Sequence, residues 1–235
     1  MCSSCWKLIL ILSVFIGSAA SQTASVHMDD NSDWWSYMKE DTIPNGVTAQ
    51  EREPSKDNFQ IDGISIDSDF SKIELDFGEA IEVARGDAGT SRGQLCYVSP
   101  AGDTHLIFEE GEVGFAFYVF ENGSGWKGSE LCKPSPLVSS GLSTASGLRL
   151  GLTPEDVKRI LGHPSLETSN KLIYDFEFRY KSSAETLARF RKENPHMSPE
   201  EFKQSFEWID VDAYIEARFA SGKLQYLGIS RSETY

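Results

Sequence analysis

The sequence is poor in histidine, in basic charge and in long apolar runs, and each shortage excludes a class of function. It has four histidines, His27, His105, His163 and His196, spread one to a region. None stands at a metal-ligand spacing from another histidine or from a cysteine, so neither a metal nor a cofactor is expected. No Gly-x-Ser-x-Gly elbow, His-Glu-x-x-His helix or Walker loop occurs in the chain. Lysine and arginine number 22 against 36 aspartates and glutamates, a formal charge of −14. A chain of that sign repels phosphate backbones and anionic headgroups, which argues against nucleic acid as a partner. The N-terminal apolar run, Leu8–Ile16, is too short to cross a bilayer.

That run has a different explanation. Lys7 precedes it and Gly17-Ser18-Ala19-Ala20 follows, the order of a secretory signal, with cleavage expected after Ala20. The alternative is an uncleaved N-terminal anchor. No cysteine follows the run directly, so a bacterial lipid anchor is not expected. Of the four cysteines, Cys2 and Cys5 would leave with the signal, and Cys96 and Cys132 would remain. In an oxidising compartment two thiols pair most simply with each other, the alternative being two free thiols. The mature chain is thus expected to be exported, periplasmic or secreted, with one disulfide and no transmembrane helix.

Composition then divides the chain. Residues 21–58 form an acidic, mostly irregular leader. Trp34, Trp35 and Tyr37 crowd within it, and they either dock back onto the domain or contact a partner; docking is the simpler reading. Residues 59–120 are read as a first structural unit, 121–147 as a Ser/Gly/Pro-rich linker, and 148–235 as a second unit with a helical insertion over 182–209.

The two units carry matching text. "ISIDSDFSKIELDFGEA" (Ile64–Ala80) superposes without a gap on "LRLGLTPEDVKRILGHP" (Leu148–Pro164). Ile64 falls on Leu148, Ile66 on Leu150, Ile73 on Val157, Phe77-Gly78 on Leu161-Gly162, and Asp69 on Thr153. Further on, "LCYVS" (Leu95–Ser99) corresponds to "LIYDF" (Leu172–Phe176), and "HLIFEEGEV" (His105–Val113) to "EARFASGKL" (Glu216–Leu224). Each unit therefore reads as an extended lead-in, a short helix and about three antiparallel strands. In the second unit Thr153 caps the helix, Pro154 takes its first position, Asp156 completes a capping box, and Gly162 with Pro164 ends it. His163 then needs no catalytic role. The expected fold class is α+β, two tandem helix-plus-antiparallel-sheet repeats in two layers. In the insertion, Ser182 with Glu185 and Ser198 with Glu201 read as capping boxes of two amphipathic helices, the second running to Ile209.

"GLTPEDVKRILGHP" followed by an aromatic-bearing strand resembles the SmpA/OmlA (BamE-like) family of bacterial envelope proteins. Two such units in tandem resemble the beta-lactamase-inhibitory-protein fold. The resemblance implies helices packed on an antiparallel sheet and a role in binding other proteins at the cell envelope. It assigns no individual functional residue, and the chain departs from the lipoprotein members in lacking the lipid-bearing cysteine.

Other motifs favour structure over chemistry. Arg85-Gly86-Asp87 reads as a turn, Asn122–Ser124 as a chance glycosylation triplet, and Glu109, Glu110 and Glu112 as solvated hairpin positions rather than an acid–base pair. Alternation in Glu112–Phe120 makes both sides of that strand apolar, hence a central strand. The expected function is a non-enzymatic protein-binding module using the sheet face that helices leave open. The alternatives are an envelope-directed hydrolase with a site assembled from distant segments, and a purely structural envelope protein.

Overall fold

Period-two alternation and short capped apolar stripes divide the chain between a sheet and helices. The computed structural model describes residues 25–27, 47–66, 68–85, 92–111, 114–121 and 130–234. The proposed signal over 1–20, Trp34, Trp35, Tyr37, residues 86–91, Glu112, Val113 and 122–129 lie outside the described residues. In chain order the elements are β1 (Ser25–His27), a 3-10 turn (Lys56–Phe59), β2 (Gln60–Ile61), β3 (Ile64–Ser65), α1 (Phe70–Phe77), β4 (Glu82–Arg85) and β5 (Arg92–Val98). They continue as β6 (Thr104–Gly111), β7 (Gly114–Glu121), β8 (Lys133–Pro134), α2 (Pro154–Leu161), β9 (Leu166–Glu167) and β10 (Lys171–Lys181). The chain closes with α3 (Ala184–Glu193), α4 (Pro199–Phe206), β11 (Trp208–Ala220) and β12 (Lys223–Thr234).

The fold is α+β. Among the described residues one sheet of ten strands runs β1-β4-β5-β6-β7-β12-β11-β10-β9, with β8 beside β5. Its pairings are antiparallel except β1 on β4 and β8 on β5. Two hairpins, β6–β7 and β11–β12, meet through β7 and β12, with Phe117 opposite Ile229. The seam is tight: a Cβ at Gly114 would stand 2.7 Å from the Arg231 carbonyl oxygen, so only glycine fits there. As alternation predicts, β7 is central, its Phe117 and Val119 facing one apolar layer and Tyr118 and Phe120 the other.

Both α1 and α2 lie on one side of the sheet. Ile73 and Phe77 from α1, and Val157 and Leu161 from α2, share a core with Leu106, Phe108, Phe117, Tyr174, Ile215 and Ile229. Each helix is eight residues long and begins at a side-chain cap, Asp69 accepting from the Lys72 amide and Thr153 from the Asp156 amide. The Thr153–Asp156 capping box is complete, with Pro154 at the first turn. Each helix ends at a glycine of positive φ, Gly78 at 96° and Gly162 at 87°, where a side chain would be strained. A tyrosine from the sheet then satisfies each cap: Tyr97 Oη donates to the Gly78 carbonyl at 3.0 Å, and Tyr174 Oη to the Gly162 carbonyl at 3.2 Å.

The linker does more than its composition suggests. Cys132 is disulfide-bonded to Cys96 on β5, 36 residues away in sequence, and packs with it on the side of the sheet opposite α1 and α2. In the chain-entropy picture a loop of that length stabilises the fold by roughly 4 kcal/mol. From there the chain pairs as β8 with Tyr97 and Val98, and then Val138 and Leu142 enter the helix-side core. It therefore wraps the sheet from one face to the other.

Two sequence expectations for the insertion are corrected. Ser183, not Ser182, caps α3, and its third helical residue is Thr186, so no acidic capping box forms. Ser182 is committed elsewhere: its amide donates to the Glu207 carbonyl at 3.0 Å and its hydroxyl to the Phe206 carbonyl at 2.5 Å. The second helix, whose Ser198–Glu201 box does form, stops at Phe206, and Trp208 and Ile209 already belong to β11. There the alternation Ile209, Val211, Ala213, Ile215 overrides helical spacing.

Replacing Tyr97 or Tyr174 by Phe is expected to cost about 1 kcal/mol each, read from urea unfolding. Burial, with the charge of Glu74 second, holds the Tyr97 phenol above its ordinary range; burial and then Glu167 do the same for Tyr174, against Arg52. The unfolded chain ionises these phenols near pH 10 and the folded chain does not, so stability is complete below that pH and is lost as pH rises past it. The double Phe variant should lose less stability between pH 9 and about 11 than the wild type.

Candidate functional site

The side of the sheet away from α1 and α2 is not open throughout. A row of direct cross-strand partners crosses it, from His105 through Phe120, Tyr226 and Arg218 to Lys171. His105 stacks on Phe120 with centroids 5.4 Å apart, Phe120 lies 6.2 Å from Tyr226, and the Arg218 guanidinium sits 4.0 Å above the Tyr226 ring. The Arg218 guanidinium donates to both carboxylate oxygens of Glu216, at 2.8 and 3.0 Å, while the Lys171 ammonium reaches the same carboxylate at 3.0 Å. A buried carboxylate held by two cations is locked in place, and removing it would leave both cations without their common counter-charge.

Glu109 corrects the expectation of a solvated hairpin glutamate. It is 5% exposed, because β6 runs on to Gly111 and places Glu109 mid-strand. Arg92 and Gln94 on β5 meet its carboxylate, Arg92 at 2.8 Å. Glu110 points to the other side, and its carboxyl is raised by burial first and then by Asp69 and Glu82. Adjacent strand residues face opposite ways, so these two carboxylates cannot act on one bond.

The exposed part of this face lies at the end of the sheet where β10 closes on the start of β11, at and beyond the last pairs of β12 with β11. Three consecutive pairs, Lys181–Trp208, Arg179–Asp210 and Glu177–Asp212, are joined there by the strand register with one residue between each. Trp208 is 39% exposed and shares its phase along β11 with Asp210 and Asp212. The Arg179 guanidinium stands 5.5 Å and the Lys181 ammonium 5.2 Å from the indole. Arg179 also chelates Asp210 at 3.0 and 3.2 Å. A tryptophan flanked by two cations at a strand end presents a large amphipathic ring at the surface, the residue type that anchors interfaces.

Beside these residues runs a cleft of about 630 Å³, lined by Glu51, Arg52, Glu53, Glu177, Phe178, Arg179, Asp210, Val211 and Asp212. Its second wall is the leader segment after Gln50, which is fastened to the outer edge of β10. The Gln50 amide donates to the Asp175 carbonyl at 2.8 Å and the Glu177 amide donates to the Gln50 carbonyl at 3.2 Å. The Gln50 side chain donates to the His163 carbonyl at 2.9 Å and to Ser165 Oγ, and Arg52 donates to the Leu161 carbonyl at 3.0 Å. The end of α2 thus anchors the strap that walls the cleft. Asp175 beside it has its carboxyl raised, by burial first and then by Glu177 and Asp212.

Of the residues singled out by sequence, Cys96 and Cys132 form the disulfide, and Trp34, Trp35 and Tyr37 lie outside the described residues. His105 is buried, and His163 and His196 are exposed. Trp208, Arg179, Lys181 and the Gln50 strap were not anticipated. The signal for Trp208 was an aromatic in the polar phase of "WIDVDAYIEA", where every second residue is otherwise charged or polar. Among the described residues no cluster of His, Cys, Asp and Glu is arranged to hold a metal, and no helix is long and apolar enough to cross a membrane. Comparison of the chain with protein-family models, curated proteins and solved structures returned no match.

His105, 3% exposed, is pushed down to about 4 by burial, with Asp103 opposing. Its folded value lies below the roughly 6.5 of the unfolded chain, so its neutral form stabilises the fold above that pH, and this is lost as pH falls from there toward 4. The urea midpoint should drop between pH 7 and about 4.5 in the wild type and drop less in His105→Phe.

Proposed function

We propose that the protein is an exported, non-enzymatic protein-binding module of the bacterial cell envelope, built from two tandem copies of one helix-plus-sheet unit. The duplication is supported by the ungapped correspondence of α1 and α2, from their caps to their terminal glycines, and by the two tyrosines that bond those glycines. It is supported also by the strand order, in which β5-β6-β7 faces β12-β11-β10 across the central seam. Export is in keeping with the Cys96–Cys132 disulfide.

The observation that carries the binding role is Trp208. A large aromatic stays at the surface between Arg179 and Lys181, on the side of the sheet that α1 and α2 do not cover. Tryptophan and arginine dominate the energetics of protein interfaces out of proportion to their numbers. The hydrolase alternative rests on the cleft, where Glu51 and Glu53 meet Glu177, Asp210 and Asp212 from a distant segment. Its lining holds carboxylates and guanidinium groups but neither histidine nor a hydroxyl or thiol, so chemistry there would have to run on carboxyl groups alone.

Immobilised protein incubated with envelope extract should retain a specific protein that the Trp208→Ala form retains at least tenfold less, a loss of the size expected for an interface anchor. Retention of no protein by either form, or equal retention by both, overturns this reading.

A further inference from the structure

We infer that the outer edge of β10, from Glu177 to Lys181, is a strand-addition site for an extended basic segment of the partner protein. The inference rests on the binding-module reading and specifies its site and the chemistry of what it takes. Outward-facing backbone groups of β10 alternate with those bonded to β11, and the outward set is the odd-numbered one. Ser165 takes the Ile173 carbonyl and Gln50 takes the Asp175 carbonyl and the Glu177 amide. Among the described residues no backbone hydrogen bond or strand continues that ladder past Glu177. The carbonyl of Glu177 and both backbone groups of Arg179 thus face outward at the wall of the cleft with no backbone partner among the described residues. Gln50 pairs in parallel with Phe176, so this edge already accepts extended chain.

The charge of the cleft selects the occupant. It is lined by Glu51, Glu53, Glu177, Asp210 and Asp212 against Arg52 and Arg179. Arg179 is spent on Asp210, and Arg52 is turned to the Leu161 carbonyl and the Phe176 ring. Glu51, Glu53, Glu177 and Asp212 make no ion pair among the described residues. A segment added here alternates its side chains between the side carrying Glu177 and Asp212, where Arg179 and Lys181 are paired with Asp210 and Glu207, and the side carrying Phe178, which packs against the core. Lysine or arginine suits the first side and an apolar residue the second. A second copy of a chain charged −14 would bring its own carboxylates against these, so it is not the occupant.

The test uses the isotope-labelled full chain and capped eight-residue peptides of alternating Lys and Val, alternating Glu and Val, and the Lys–Val peptide N-methylated at every second amide. The Lys–Val peptide should slow hydrogen exchange of the Arg179 amide by roughly tenfold or more, because only a backbone partner protects it. The Glu–Val peptide should not bind, and the N-methylated peptide should leave the Arg179 amide unprotected. The double variant Glu177→Lys/Asp212→Lys should bind the Lys–Val peptide roughly tenfold or more weakly. Equal binding of the N-methylated and unmodified peptides overturns the inference, as does protection of Arg179 that tracks protein concentration without peptide. If the envelope partner is retained through Trp208 while no peptide protects Arg179, the edge inference falls and the binding-module reading stands.

Discussion

The pairing of β7 with β12 is the contact on which the rest of the molecule depends. It joins two hairpins that come from distant parts of the chain, and it runs through seven residue pairs from Tyr226–Phe120 to Ser232–Gly114. Either hairpin alone would end in a strand with a row of unbonded amides along its edge, and β7 is apolar on both sides as well. That is the condition in which β structure aggregates. Joined, they give a continuous surface broad enough for α1 and α2 to bury a single core, with Phe117 and Ile229 at its centre. Gly114 matters for the same reason, since a methyl group there would wedge the seam apart from the Arg231 side.

Once the seam exists, the linker decides which surfaces remain available. Tied to β5 through Cys96, it places Leu131 and Cys132 against Ile107 and its neighbours before turning round the edge of the sheet. That side is consequently packed around the aromatic row of His105, Phe120 and Tyr226. The exposed remainder is the end of the sheet where β10 meets the start of β11, where a tryptophan, two cations and a set of carboxylates are displayed together. The same end of the sheet also has the open strand edge, so geometry concentrates anchor, charge and backbone within a few residues of one another.

What could be read from sequence was whatever short-range chemistry determines. The caps of α2, its terminal Gly162, the central place of β7 and the Cys96–Cys132 pair all follow from neighbours in sequence, from alternation or from there being few alternatives. The boundaries failed where a local rule met a non-local partner. Ser182 looked like a cap but closes the base of the insertion against Phe206, and Glu109 looked like a turn residue but finds Arg92 and Gln94 on the next strand. The candidate site was the least legible part. Gln50 belongs to a polar leader with no periodicity, and it can be placed only by knowing that the edge of β10 passes beside the end of α2.

The helical insertion stands on a narrow stem. Ser182 and Glu207 are hydrogen-bonded to each other, and Lys181 faces Trp208 as the last rung of the ladder, so the chain leaves and re-enters the sheet at adjacent points. Between them α3 and α4 form a knob held by its own rings, Phe190 and Phe202 each against Phe206, and by Arg191 over Phe202. Such a loop is interchangeable in principle: a tight turn bridging the stem would preserve every rung below it, and cargo fused at the far bend would be carried clear of the strands.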